Sequence, residues 1–193
     1  AVPALMGLLD DLDPAVRGRC FTSLALLGCR EIIPRAEDAL GRPSVDLSAA
    51  EALGLLGEER GVDYLFQAAC NGAGDRRQRA LQALGRVGMN ALGYLTRCLG
   101  GGNSVNTRTA IEALGKIKGR RAQERAAELL LDVFHWGGSE EVVKTCQSLK
   151  LLGISTQPVL RELERLAQEG RQPQERAVAR DALEKLSRRS PSG

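Results

Sequence analysis

His135 is the only histidine in this chain of 193 residues, and that limits the chemistry the sequence offers. A Ser-His-Asp triad needs an imidazole set between a nucleophile and an orienting acid, and catalytic zinc sites draw on several histidines; one isolated histidine points to neither. Cys20, Cys29, Cys70, Cys98 and Cys146 are scattered singly, with no CxxC pair, so a cysteine-only zinc site is not expected. An odd count without close spacing reads instead as reduced thiols in an intracellular, cytoplasmic compartment. Gly100 to Gly102 and Gly137-Gly138 lack the Lys-Ser/Thr and strand context of a phosphate loop, and both read as loops. No catalytic, cofactor-binding or metal-ligating residues are expected, and the chain reads as a non-enzyme.

Two features remain that could bind. Phe134-His135-Trp136 places the only Trp in what reads as an inserted loop, where Trp136 would serve as an exposed anchor for a partner. The competing reading, ranked first, has Phe134 and Trp136 covering the end of the preceding helix. Basic runs at Arg76-Arg77, Lys116 to Arg121 and Arg188-Arg189 invite a nucleic-acid reading. Yet 27 basic and 24 acidic residues leave a net charge of only +3. The positions expected to be exposed alternate in sign: Arg35, Glu37 and Asp38; Asp63; Arg97; Arg125 and Glu128; Arg161, Glu164 and Arg165. That is a solvated mixed surface rather than a phosphate track. Arg188-Arg189-Ser190-Pro191 reads either as a kinase site or as an unstructured end.

These residues hang on a repeat. The octet Leu81 to Gly88 has relatives at Phe21 to Gly28, Ala50 to Gly57, Ile111 to Gly119, Cys146 to Gly153 and Arg180 to Ser187. Their central leucines fall at 24, 53, 84, 114, 149 and 183, a period of 29 to 35 residues that marks stacked helical repeats. Four residues before each Leu stands Cys20, Ala49, Ala80, Ala110, Thr145 or Ala179, and three after it an apolar residue, so each copy carries one buried stripe. Ser or Ala directly before the Leu lets another helix approach. Gly28, Gly57, Gly88, Gly119 and Gly153 read as C-caps. Gly54, Gly85 and Gly115, inside the helices, cost about 1 kcal/mol each relative to Ala and are explained by tight packing on a neighbour.

A second apolar segment follows each octet, clearest at Val62 to Cys70, so each repeat is a helical hairpin. Asp13-Pro14, Pro43-Ser44, Asp75, Ser104 and Ser139 mark first-helix starts as N-cap or first-turn residues. No alternating β-branched run suggests a strand. Hydrophobic residues make up 43% and aromatics 3%, the balance of a core built from Ala, Leu, Val and Ile. No apolar run approaches the roughly 18 residues of a spanning helix, so no membrane contact is expected.

Asp13-Pro14-Ala15-Val16-Arg17 and Ala83-Leu84-Gly85-Arg86-Val87-Gly88 fit the pattern D-x-x-V-R and then A-L-G-x-h-G (h apolar), followed by a short second helix with Pro near its start. That pattern resembles the HEAT-like repeats first described in the phycobilisome lyase family, over roughly residues 1 to 187. Arg17 is matched by Arg77 and Arg176, whereas Asp46, Thr107 and Val142 interrupt any polar ladder at that place. The resemblance implies an all-α, right-handed α-α superhelix, a HEAT-like or armadillo-type solenoid with second helices on its concave side. It leaves activity open, since such repeats serve scaffolds, adaptors, lyase subunits and nucleic-acid enzymes. The His-Glu metal motifs of the HEAT-repeat hydroxylase acting on deoxyhypusine are missing.

The expected organisation is one domain over 1–187, with a partial repeat at 1–10, repeats at about 13–40, 43–70, 75–99, 104–134 and 139–167, a capping helix at 173–187 and a disordered tail at 188–193. The absence of an initiator Met and of a first helix before 1–10 reads as a chain cut from something longer, or one starting mid-repeat. The expected function is a protein-binding scaffold needing no cofactor. Arg35, Asp63, Gln67, Arg97, Arg125, Arg161, Arg165 and Trp136 would form its partner surface. Nucleic-acid binding is the runner-up, and a tetrapyrrole lyase-type subunit, argued from the resemblance alone, comes third. An exposed apolar end at Val2, Leu5, Leu8 and Leu9 is expected to contact a second copy or the parent chain.

Overall fold

The computed structural model describes residues 1–42 and 44–188. Among them every regular element is helical. These are α1 (Val2–Gly7), α2 (Pro14–Leu26), α3 (Ile33–Ala39), α4 (Asp46–Leu55), α5 (Glu59–Asn71), α6 (Gly74–Val87), α7 (Met89–Leu99), α8 (Ser104–Leu114), α9 (Arg120–Trp136), α10 (Ser139–Leu152), α11 (Gln157–Glu169) and α12 (Pro173–Ser187), with single 3-10 turns at Leu8–Asp10 and Arg30–Ile32. The fold is all-α, built from successive helical hairpins. The chain forms two compact units, Ala1–Tyr94 and the described part of Leu95–Gly193.

In the first unit the octet helices α2, α4 and α6 pack side by side, α2 on α4 and α4 on α6, while α5 packs on both α4 and α6. In the second unit α8 packs on α10 and α10 on α12, with α9 against α8, α10 and α11. The repeated stripe accounts for this layering. Leu24, Leu53, Leu84, Leu114 and Leu149 are fully buried, as are Ala49, Ala80, Ala110, Thr145 and Ala179 four residues before their leucines. Leu183, on α12, is only half-buried. The stripe also fails at Leu27, 57% exposed, because α2 has already ended at Leu26.

Helix ends follow local chemistry. Asp13 caps α2 by accepting the Ala15 N–H at 2.8 Å, with Pro14 in the first turn. Asn103 rather than Ser104 caps α8, accepting the N–H groups of Val105 and Asn106 at 2.9 and 3.2 Å. Pro43 lies outside the described residues, and α4 starts at Asp46, after Ser44. Gly153 ends α10 in the left-handed conformation, φ 71° and ψ 23°, which a side chain would strain. Positive φ recurs at the other expected caps Gly28, Gly57, Gly88 and Gly119.

Two expectations change. Phe134-His135-Trp136 is not an inserted loop but the last turn of α9, a helix of 17 residues. Leu130, Val133 and Phe134 are buried along it, so the apolar spacing carries the helix on until Gly137. At the N-terminal end, α1 packs on α2. Leu9 is buried at 5% exposure, and Val2 and Leu5 lie half-buried against the core. Of the four residues expected to be exposed, only Leu8 is, at 41%. The expected tail, 188–193, lies outside the described residues beyond Arg188, as does the rest of the Arg188-Arg189-Ser190-Pro191 motif.

Candidate protein-binding surface

The eight residues picked out for binding fall on the second helices, and each unit holds its own set. In the first unit Arg35 stands exposed on α3 with its guanidinium 3.2 Å from Asp10. Arg60 of α5 reaches back to Glu37 of α3 at 3.3 Å. Asp63 is half-buried and already engaged, its carboxylate accepting the Tyr94 hydroxyl at 2.5 Å, and the Tyr94 ring meets Phe66 edge-on at 5.4 Å. Gln67, one turn on from Asp63, is exposed and accepts the Asn71 amide at 3.4 Å.

In the second unit Arg97 is exposed on α7, Arg125 on α9, and Arg161 and Arg165 on α11. Because α9 and α11 pack together, the last three stand on adjoining helices of one layer. Arg125 is held by Glu128 at 2.5 Å and Arg165 is paired with Glu162. Arg161 has no hydrogen bond or ion pair among the described residues. Trp136 is 51% exposed while Phe134, two residues earlier, is buried at 8%, so the cluster divides between core and surface. His135 is exposed beside them.

Sequence reading did not find the charge pairs that join successive octet helices. Glu51, 4% exposed, receives Arg86 in a two-pronged bond, Nε to Oε1 at 2.5 Å and Nη2 to Oε2 at 2.6 Å. Asp46, 2% exposed, accepts both the Tyr64 hydroxyl at 3.0 Å and Arg76 at 2.5 Å. Lys144 reaches Glu112 at 2.6 Å, and Lys150 pairs with Asp181. The available signal was opposite charge one repeat apart. Arg76, read as part of a basic run, is thereby committed to a carboxylate.

The arginines aligned at 17, 77 and 176 also have a definite task. Arg17 donates to the carbonyls of Asp11 and Leu12 at 2.7 and 3.0 Å. Arg77 donates to the Ala69 carbonyl, and Arg176 to that of Gly170 at 2.6 Å. Each thus satisfies carbonyls left open where the preceding segment ends. In the fourth repeat Thr107 stands at that place and reaches the Leu99 carbonyl only at 3.4 Å.

Two of the cysteines are withdrawn from reaction. All five are free thiols, and Cys20 and Cys146 are buried. Burial pushes the Cys146 thiol up to about 12 and raises that of Cys20, which keeps both protonated and inert at neutral pH. Among the described residues no group of three His, Cys, Asp or Glu side chains could hold a metal ion, and no helix is long and apolar enough to cross a membrane.

Residues 2–85 match the family model of HEAT repeats. No curated protein matches the chain in sequence. Among solved structures, human deoxyhypusine hydroxylase in complex with glycerol is similar at 19% identity and a TM-score of 0.48, over 97% of this chain and 74% of that one. An engineered protein aligns at 17% identity and a TM-score of 0.45, over 97% and 96% of the two chains. An archaeal HEAT-like repeats protein from Thermococcus onnurineus NA1 aligns at 12% identity and 0.43, over 97% and 87%.

Proposed function

We propose, from HEAT-type hairpins whose exposed side chains form no catalytic set among the described residues, that this chain is a non-catalytic scaffold binding another protein through its second helices. The observation that carries this reading is the surface of α9 and α11. There Arg125, Arg161 and Arg165 stand exposed over a stripe of buried Ala126, Leu130, Leu163 and Leu166. Surface ion pairs of the Arg125–Glu128 and Arg165–Glu162 kind add only about 0 to 1 kcal/mol of stability, so their consequence lies in display. They hold two of the three guanidinium groups in place, each with N–H donors left over for a partner carboxylate, and offset much of the local positive charge. A surface so balanced is poorly suited to a polyphosphate backbone, whose binding rests on many uncompensated Lys and Arg contacts.

The likeness to the phycobilisome-lyase type of repeat, carried by Asp13 to Arg17 and Ala83 to Gly88, belongs to this reading, as does a reducing, cytoplasmic setting suited to five free thiols. The test is affinity capture from a lysate by the purified chain, at low and high salt and with nuclease. A defined protein retained through both treatments is the expected result. Nucleic acid retained at low salt and lost at high salt would replace this reading with its runner-up.

A further inference from the structure

The Trp136 end of α9 borders a cleft of about 470 Å³ lined by Leu99, Thr107, Trp136, Gly137, Gly138 and Glu141, among others. Its origin lies in the repeat pattern. At this register Arg17, Arg77 and Arg176 each send a guanidinium to the carbonyls closing the preceding segment. The fourth repeat has Thr107 instead, too short to do more than approach the Leu99 carbonyl at 3.4 Å. The space an arginine takes elsewhere is left open, and two groups suited to a guanidinium border it.

One is the half-exposed indole of Trp136, whose face attracts a cation. The other is Glu141, with a side chain 17% exposed and, among the described residues, no closer partner than Arg108 Nε at 3.9 Å. Arg108 is already spent on the Ser104 carbonyl at 3.0 Å, the Ser104 hydroxyl at 3.1 Å and Glu140. Both oxygens of Glu141 therefore remain open to a two-pronged bond. Gly138 keeps the acid uncovered, since a Cβ there would stand 3.0 Å from Glu141 Oε2.

We infer that this cleft receives an arginine side chain from a partner protein, which supplies from outside the guanidinium that Arg17, Arg77 and Arg176 supply from within. The inference rests on the reading of the chain as protein-binding and specifies the chemistry of one contact. Trp136 is the only Trp, so its emission reports occupancy directly. The full chain is titrated with blocked Gly-Arg-Gly, with Gly-Lys-Gly, and with the uncharged isostere Gly-citrulline-Gly.

The expected result is a saturable emission change with the arginine peptide and binding about tenfold weaker or less for the other two, because only the guanidinium fork can pair bidentately. Thr107→Arg fills the cleft from within and abolishes the response. Glu141→Gln weakens it about tenfold, which keeps the inference testable if the arginine variant fails to fold by circular dichroism. Equal response to citrulline or lysine, an undiminished response in Glu141→Gln or in folded Thr107→Arg, or no saturable change at all overturns it. Loss of this response with a protein partner still captured would remove the cleft while leaving the scaffold reading in place. Arginine-peptide binding without any captured partner would do the reverse.

Discussion

Glu175 is a carboxylate almost withdrawn from water, 3% exposed at the start of α12, and three donors hold its charge. Burial alone would push its pKa up. That effect is outweighed by the Ser139 hydroxyl, the backbone N–H groups of Gln172 and Arg171 and the Arg171 charge, so the carboxyl lies below the ordinary glutamate range. The Ser139 hydroxyl donates to it at 2.5 Å and the Gln172 N–H at 3.3 Å, closing a capping box. A folded-state pKa below the unfolded one contributes stability that is present above the unfolded value, about 4.3, and lost as pH falls through the folded value. Glu175→Gln keeps the capping geometry but cannot titrate. Melting temperature followed from neutral pH down into the acid range is therefore expected to fall less steeply in the variant than in the parent. Parallel curves would show that Glu175 is not the group being protonated. Nothing in the local pattern marked this residue, because its main donor, Ser139, lies a repeat away.

At the scale of the helix, the small residues of the octet decide how close neighbouring first helices come. A Cβ on Gly115 would stand 2.7 Å from Ser148 Cβ and 2.8 Å from its Cα, whereas one on Gly54 would meet a Val87 methyl at 2.8 Å. At Gly54, inside α4, helix propensity favours alanine over glycine by about 1 kcal/mol, a gain that Gly115, the residue capping α8, does not offer; at both, overpacking opposes alanine by about 1 to 3 kcal/mol. At Gly115 the obstacle includes backbone, which cannot step aside, so the steric cost wins. Gly115→Ala is expected to lower stability by about 1 to 2 kcal/mol in urea denaturation, and Gly54→Ala by less, since a Val side chain can shift. A more stable Gly115→Ala variant would refute the close approach.

Much at this scale was legible in the sequence because it repeats locally. Leucine spacing, small residues beside them and capping glycines are short-range patterns, and they located every octet helix. The end of α9 was misread because aromatic residues beside Gly137-Gly138 look like a loop, although Val133 and Phe134 still follow the apolar spacing. The tasks of Arg17, Arg77 and Arg176 were also hidden. Alignment showed them recurring, but their acceptors are backbone carbonyls, which carry no residue signature.

At the scale of the whole chain, near-neutral charge becomes informative once the ion pairs are known. Arginines of the first and second helices are answered by a carboxylate one repeat away, as Arg86 is by Glu51 and Arg76 by Asp46, or one turn away, as Arg125 is by Glu128. A positive field strong enough to steer a polyanion needs uncompensated charge concentrated on one face. The exposed positions of the second helices were legible in the sequence, Asp63 excepted, which is half-buried. Which of them remain available was not, since Asp63 is consumed by Tyr94.

If α9 and α11 present their arginines to a protein, reversing those charges weakens the complex. The most direct measurement is the affinity of a nuclease-resistant captured partner for the parent chain and for the variant carrying Arg125→Glu, Arg161→Glu and Arg165→Glu together, each first checked for unchanged helicity. Arginines that act as binding hot spots contribute more than 1 kcal/mol apiece, so the triple variant is expected to bind at least about tenfold more weakly. Equal affinity for the two chains would contradict it and place the partner surface elsewhere.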